Sequence, residues 1–203
     1  MSVKRLRIFA GPNGSGKTTI LKNLINEIPF GIYVNADDIE KSLKEANCLI
    51  FDSYQLIVEE KILQDFFKLS NFSPIKRQEP DLWKKLTIKN NTLNTSCVID
   101  SYLAADLADF IRKQLLVNDL SFTFETVMSH DSKLEFIKDA KKIGYRVYLY
   151  FSATEDPIIN INRVGIRVSQ NGHNVEDDKI KDRYYRSLKI LKKAIMLSDR
   201  AYI

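Results

Sequence analysis

A glycine-rich segment, GPNGSGKTTI, follows a short apolar run near the start of the 203-residue chain. Three of the chain's seven glycines lie in the first six residues of this segment. It fits the pattern G-x-x-x-x-G-K-[ST] at Gly11, Gly16, Lys17 and Thr18. Glycine lets a backbone curl until successive N–H groups point at one anion, because no side chain blocks the approach. The segment therefore predicts a loop that binds the phosphates of a nucleoside triphosphate.

The positions of this loop have separate predicted contacts. We expect the phosphates to be surrounded by Gly11, Pro12, Asn13, Gly14, Ser15, Gly16, Lys17, Thr18 and Thr19. A helix that begins near Lys17 adds its free N–H groups and the positive end of its dipole. Lys17 is predicted to reach the β- and γ-phosphates, and Thr18 to bind the Mg²⁺ that bridges them. ATP and Mg²⁺ are the predicted cofactors, and the alternative is a glycine-rich turn without a ligand.

Two carboxylates follow the second predicted strand, in the sequence GIYVNADD. In an open parallel sheet, ligands bind beyond the carboxyl ends of the strands. Asp37 is the predicted catalytic base, which accepts the proton of an acceptor hydroxyl as that hydroxyl attacks the γ-phosphate. Asp38 is the predicted N-cap of the following helix, and the reverse assignment is the alternative.

Two further pairs of residues are candidates for the same site. Glu125 and Thr126 end a third predicted strand, SFTFET, and are expected to contact the acceptor, unless they form only a strand-terminal turn. Arg163 and Arg167 lie four residues apart, so a helix would place them on one face. We expect residues 155–178 to form a lid whose arginines stabilise charge on the transferring phosphoryl group, although a solvated basic face is the alternative.

Structural roles are predicted for the remaining residues with charged or reactive side chains. Arg183 and Arg186 lie on the last predicted helix and are assigned to salt bridges or to the surface. His173 is expected to be a loop or packing residue. Cys48 and Cys97 are far apart in sequence, and two histidines are too few for a plausible zinc site.

The elements that carry these residues alternate between strands and helices. The runs RIFA and VYLYF are typical of buried strands, and helices of 10–15 residues separate the strands. This alternation predicts an α/β fold, a three-layer α/β/α sandwich around a mostly parallel sheet, in one domain over residues 1–203.

The middle of the chain is predicted to differ from this pattern. Residues 47–100 are interpreted as a helical and loop insertion. Within it, residues 52–69 predict one amphipathic helix capped by Asp52 or Ser53. Residues 70–100 predict a flexible segment with one short helix near Trp83, because prolines and an Asn/Thr run interrupt any periodicity.

Composition narrows the class of protein. The chain is 44% hydrophobic and 28% charged, as in soluble globular proteins. Its net charge of +5 is a mild excess of Lys and Arg over Asp and Glu. No apolar stretch is long enough for a membrane span or has the form of a signal peptide, so we expect a cytoplasmic protein without a membrane partner. No long basic block favours nucleic acid as a partner.

A motor or transporter ATPase is disfavoured because VYLYFSATED has no acid directly at the strand end. A P-loop ATPase, or a nucleotide-binding protein without phosphotransfer, remains the alternative.

Several segments together resemble the zeta toxin family of P-loop kinases. They are GPNGSGKTT, VNADD, SFTFETVMSH, GYRVYLYF, NRVGIRVSQNGHNV and IKDRYYRSLKIL, and they cover most of the chain outside about residues 47–100. The resemblance implies a kinase core that uses ATP and Mg²⁺ to phosphorylate a hydroxyl, which in the best-known members belongs to a UDP-activated amino sugar. It also implies a small antitoxin partner.

The resemblance carries over to particular residues. It implies that Asp37 is the base, that Glu125 and Thr126 contact the acceptor, and that Arg163 and Arg167 face the nucleotide. The chain departs from the family where NGHNVE replaces GGH-x-VP, at Asn171 and Glu176, and where FETV replaces the more common ETT. These departures bear on the lid and on the acceptor contacts.

Overall fold

A computed structural model describes residues 3–70, 72–170 and 174–203. The chain divides into two compact units, residues 1–31 with 121–203, and residues 32–120. The predicted insertion, residues 47–100, falls inside the second unit. The predicted loop residues Asn171, Gly172 and His173 lie outside the described part of the chain. None of the helices in the described part combines the length and apolar character needed to cross a bilayer.

The described strands and helices follow one another as the sequence predicts through most of the chain. The strands are β1 Arg5–Ala10, β2 Ile32–Val34, β3 Cys48–Ile50, β4 Leu86–Lys89, β5 Thr92–Thr95, β6 Phe122–Thr126, β7 Arg146–Phe151 and β8 Arg200–Tyr202. The helices are α1 Lys17–Leu24, α2 Ala36–Ala46, α3 Glu60–Leu69, α4 Ser73–Lys76, α5 Ser101–Val117, α6 Ser132–Lys142, α7 Pro157–Ser169 and α8 Asp177–Leu197.

The first unit is built on a parallel sheet in which β6, β1, β7 and β8 lie side by side. Ala10 at the end of β1 pairs with Thr126 of β6 and with Phe151 of β7. Because these three strands run in the same direction and finish in register, the loops that follow them leave from one edge of the sheet. This edge carries the glycine-rich loop.

Helices cover the sheet of the first unit, as its buried strands require. Leu6 and Ile8 of β1 are fully buried. Phe136 of α6 packs edge-on against Phe122 and Phe124 of β6, with ring centroids 6.3 and 5.7 Å apart. The predicted α/β class, with a parallel central sheet flanked by helices, is confirmed.

The second unit contains a small antiparallel sheet that the sequence analysis missed. Its strands lie in the order β3, β5, β4, and β4 and β5 form a hairpin. The turn consists of Asn90 and Asn91, whose φ angles of 50° and 56° are left-handed. Asparagine tolerates this conformation better than most residues, so an Asn-Asn pair can form a tight turn. The prediction of a flexible segment over residues 70–100 is therefore wrong for this part.

The single helix predicted over residues 52–69 is also wrong. A short 3-10 helix spans Phe51–Tyr54, and α3 begins only at Glu60. The Asn91 side chain accepts a hydrogen bond from the backbone N–H of Val58 at 2.9 Å and donates to the carbonyl oxygen of Leu56 at 2.7 Å. These backbone groups are thus satisfied by a distant side chain, which replaces the bonds of a continuous helix.

Candidate nucleotide-phosphate site

The glycine-rich loop joins β1 to α1, as predicted, and its fold depends on glycine at two positions. A Cβ atom on Gly11 would lie 2.0 Å from the carbonyl oxygen of Ser152, and one on Gly14 would lie 2.5 Å from that of Asn160. Gly14 also has a φ of +76°, in the left-handed region. The loop therefore packs against backbone that follows β7 and backbone of α7, which a side chain would displace.

Lys17 lies folded over this loop. Its ammonium nitrogen donates hydrogen bonds to the carbonyl oxygens of Gly11 and Pro12, each at 2.8 Å. Gly16 precedes α1 as its N-cap and offers no side-chain oxygen to the first N–H groups of the helix. A bound anion can satisfy such groups and interact favourably with the helix dipole. The Lys17 cation and the N-terminus of α1 thus lie together at the end of the glycine-rich loop.

Two predicted site residues meet at the end of β6. The Thr18 hydroxyl donates to Oε2 of Glu125 at 3.0 Å. The backbone oxygen of Thr126 accepts from the N–H of Gly11 at 3.2 Å, and the Thr126 hydroxyl oxygen accepts from the N–H of Met128 at 3.1 Å. The structure therefore places the predicted metal ligand beside the predicted acceptor-contacting carboxylate, while Thr126 also holds the two backbone segments together.

The two predicted arginines lie on α7. Asp156 caps this helix by accepting from the N–H of Ile158 at 2.7 Å, and Pro157 occupies its first turn. Arg163 is exposed, and its Nη1 lies 3.4 Å from the carbonyl oxygen of Gly14. Arg167 is half-buried one turn further along the helix. Within the predicted lid, Pro157–Ser169 is thus helical, and the first arginine of this helix reaches the glycine-rich loop.

Three residues that contact the loop were not predicted as site residues. The Ser152 hydroxyl donates to the carbonyl oxygen of Ser15 at 2.6 Å, and the Asn160 amide donates to that of Asn13 at 2.6 Å. Nη1 of Arg183 lies 3.5 Å from Oδ1 of Asn13. The presence of a polar residue within the apolar run PIINI was the available signal for Asn160.

The roles predicted for the arginines of α8 are corrected in part. Arg186 pairs with Asp182 at 2.6 Å on the surface, as expected. Arg183 differs from its predicted role on the surface or in a salt bridge, because it is half-buried and contacts Asn13. The cause is tertiary, because α8 packs beside α7 in the same unit.

Asp37 and Asp38 belong to the second unit and lie, exposed, in the first turn of α2. Asn35 is the N-cap, and its side chain accepts from the N–H of Asp37 at 2.9 Å. The predicted capping role of Asp38 is therefore wrong, because an amide one residue before the helix already fills it. Burial, together with the charge of Asp38, raises the pKa of Tyr54 to about 12.

Three solved structures have similar folds. A putative kinase from Chloroflexus aurantiacus aligns with a TM-score of 0.51 and 13% identity, over 90% of this chain and 78% of its own. A chain of the PezAT chromosomal toxin–antitoxin system of Streptococcus pneumoniae gives 0.54 and 15%, over 99% and 68%. A chain of the Pnkp1/Rnl/Hen1 RNA repair complex gives 0.53 and 13%, over 95% and 47%. At these identities the similarity shows a shared fold, in agreement with the α/β class of this chain.

Sequence comparison gives a more limited result. An uncharacterized protein of Haemophilus influenzae is 32% identical over 65 residues, which are 32% of this chain and 46% of that protein. The match therefore spans less than half of the curated relative. No family model matches the sequence.

Proposed function

We propose that the protein is a kinase that uses ATP and Mg²⁺ to transfer the γ-phosphoryl group to a hydroxyl of a small molecule. The observation that supports this proposal best is the grouping of Lys17, Thr18 and Glu125 around a glycine-dependent loop at the carboxyl edge of a parallel sheet. The kinase-like fold is consistent with it. A UDP-activated amino sugar is the first acceptor class to test, because the sequence resembles zeta toxins.

The residues of the loop suit a nucleotide phosphate. The Ser15 hydroxyl oxygen is buried and lacks a hydrogen-bond partner among the described residues, so a phosphate oxygen could satisfy it. Lys17 would exchange its two bonds to neutral carbonyl oxygens for stronger bonds to phosphate oxygens, in which donor and acceptor are both charged. Thr18 and Glu125 supply oxygen atoms of the kind that Mg²⁺ prefers. Mg²⁺ would neutralise charge between the phosphates when it is bound.

The proposed reaction forms one bond and breaks another. The acceptor oxygen bonds to the γ-phosphorus, the bond from that phosphorus to the β–γ bridging oxygen breaks, and ADP leaves. Asp37 is proposed to take the proton of the acceptor hydroxyl. Arg163 and Arg167 are proposed to stabilise the charge on the phosphoryl oxygens during transfer. Glu125 and Thr126 are proposed to contact the acceptor.

A protein partner is part of the proposal. A chain from a toxin–antitoxin system is among the similar structures, and the sequence resembles toxins that antitoxins hold in check. We therefore expect that a small antitoxin protein would bind this chain. Co-expression with candidate small proteins, followed by co-purification, is the corresponding assay.

The test of the proposed activity is incubation of the full chain with ATP, Mg²⁺ and a panel of acceptors. The panel contains UDP-amino sugars, other nucleotide sugars, nucleosides, free sugars and a 5′-hydroxyl oligonucleotide, and mass spectrometry detects an added phosphate of about 80 Da. A phosphorylated small molecule supports the proposal. Release of inorganic phosphate without a phosphorylated acceptor in any arm would instead identify an ATPase, and phosphorylation of the oligonucleotide alone would identify a nucleic-acid kinase.

A further inference from the structure

Asn160 connects α7 to the glycine-rich loop through a buried amide. Its side chain is fully shielded from solvent. Nδ2 donates to the carbonyl oxygen of Asn13 at 2.6 Å, and Oδ1 accepts from the hydroxyl of Thr154. Both ends of the amide are thus hydrogen-bonded, which fixes its orientation, because only the NH₂ group can donate to Asn13.

The backbone of α7 touches the loop at the same point. A Cβ on Gly14 would lie 2.5 Å from the carbonyl oxygen of Asn160 and 3.1 Å from its Cα. Arg163 follows Asn160 by three residues, a spacing that brings side chains together on a helix surface. Its guanidinium lies 3.4 Å from the carbonyl oxygen of Gly14. One helical turn therefore holds the loop and carries the arginine predicted to face the phosphates.

Thr154, which donates to the Asn160 amide, makes further contacts of its own. The Thr154 hydroxyl also lies 3.1 Å from the carbonyl oxygen of Asp156, and the phenol of Tyr184 donates to the carbonyl oxygen of Thr154 at 2.7 Å. Burial, with the negative charge of Asp156, raises the pKa of Tyr184, so the phenol remains a donor. The chain of contacts thus runs from α8 through Thr154 and Asn160 to the loop.

An apolar side chain would pack at this buried position without needing hydrogen bonds. The other buried residues of α7 are Pro157 and Val164, both apolar. A buried amide costs desolvation free energy unless all its bonds are formed. Its presence here is explained if the bond to Asn13 is what the position contributes.

We infer that Asn160 is a positioning residue for nucleotide binding and phosphotransfer, which sets the place of Arg163 by fixing the Asn13–Gly14 segment against α7. This inference rests on the proposed function. Asn160 acts through Asn13 and Arg163, and its loss should weaken nucleotide binding and reduce the contribution of Arg163 to transfer.

The first test is Asn160→Asp in the full chain, with Asn162→Asp as the matched control. Both variants place the same new charge on α7, but Asn162 is exposed. In Asn160→Asp a carboxylate oxygen faces the Asn13 carbonyl oxygen and the donor is lost. We expect binding of a fluorescent ATP analogue with Mg²⁺ to weaken about tenfold or more. The control should stay within about twofold, because its new charge lies in solvent.

A second pair of variants separates positioning from the added charge and from misfolding. Thr154→Val removes the hydroxyl that orients the amide without adding charge, and Thr154→Ser keeps it. Weaker nucleotide binding in Thr154→Val, restored in Thr154→Ser, supports the inference, and this pair decides the matter if circular dichroism shows that Asn160→Asp is unfolded. Wild-type affinity in Thr154→Val and in a folded Asn160→Asp overturns it.

A double-mutant cycle with Arg163→Ala tests the route of the effect. If Asn160 places Arg163, the loss of transfer caused by Arg163→Ala should be smaller in the Asn160→Asp background than in the wild type. Equal losses in both backgrounds contradict that route. The wild-type protein is measured first: absence of both nucleotide binding and transfer there refutes the proposed function, whereas normal wild-type binding with unaffected variants refutes only the role of Asn160.

Discussion

Gly14→Ala is expected to destabilise the protein because the loop has no room for one methyl group. The new Cβ would lie 2.5 Å from the carbonyl oxygen of Asn160, and the residue would have to keep a φ of +76°. A left-handed backbone costs an L-residue about 1–2 kcal/mol. Contact with a backbone oxygen, which cannot rotate away, adds strain. We expect the free energy of unfolding to fall by about 2–4 kcal/mol in total.

Gly165→Ala is the matched control. Gly165 lies in α7, and a Cβ there would meet nothing within 4 Å. The same substitution should stabilise the helix by about 0.5–1 kcal/mol, because alanine loses less backbone entropy than glycine. Guanidinium unfolding followed by circular dichroism measures both values. A Gly14→Ala protein as stable as the wild type would show that the loop does not pack tightly against α7.

Three further predictions concern single side chains. Lys17→Ala should weaken ATP·Mg binding and phosphotransfer together, by about tenfold or more, because charge-assisted bonds to the phosphates are lost; unchanged nucleotide affinity by titration calorimetry would rule out its contact with the phosphates. Asp37→Asn should keep nucleotide affinity while single-turnover transfer falls by about 100-fold or more, and undiminished turnover would remove Asp37 from the mechanism. Burial and Asp38 raise the pKa of Tyr54 from 10.0 to about 12, so the unfolded chain loses this proton first, and stability present below pH 10 should decline between pH 10 and 12. Tyr54→Phe should lack this part of the decline, about 2 kcal/mol or less, and unfolding curves with equal pH dependence in both proteins would contradict the assignment.

The sequence predicted the parallel sheet and the loop because both depend on local patterns. β1 ends in the apolar run IFA and β7 in the apolar run VYLYF, and the glycine motif follows the first of these directly. By contrast, the break in the helix at residues 55–59 depends on Asn91, which lies more than 30 residues away in sequence. No periodicity within the segment could indicate that contact.

In the candidate site, too, local patterns predicted some residues, while others depend on contacts between distant parts of the chain. The motif pointed to Lys17 and Thr18, but the support behind them comes from polar residues on other elements, namely Ser152, Asn160 and Arg183. Their types are common in loops and helices, so only tertiary packing distinguishes them. Asn35 was missed for a different reason, since two aspartates beside it are equally good N-caps.

Calorimetric titration of the full chain with ATP, ADP and AMP, each with Mg²⁺, is the decisive test for a phosphate site at the glycine-rich loop. If the loop binds through Lys17 and the N-terminus of α1, the affinity should depend on the β- and γ-phosphates. We expect clear binding of ATP and ADP and at least tenfold weaker binding of AMP. Equal affinity for all three nucleotides, or binding of none, would contradict a phosphate site at this loop.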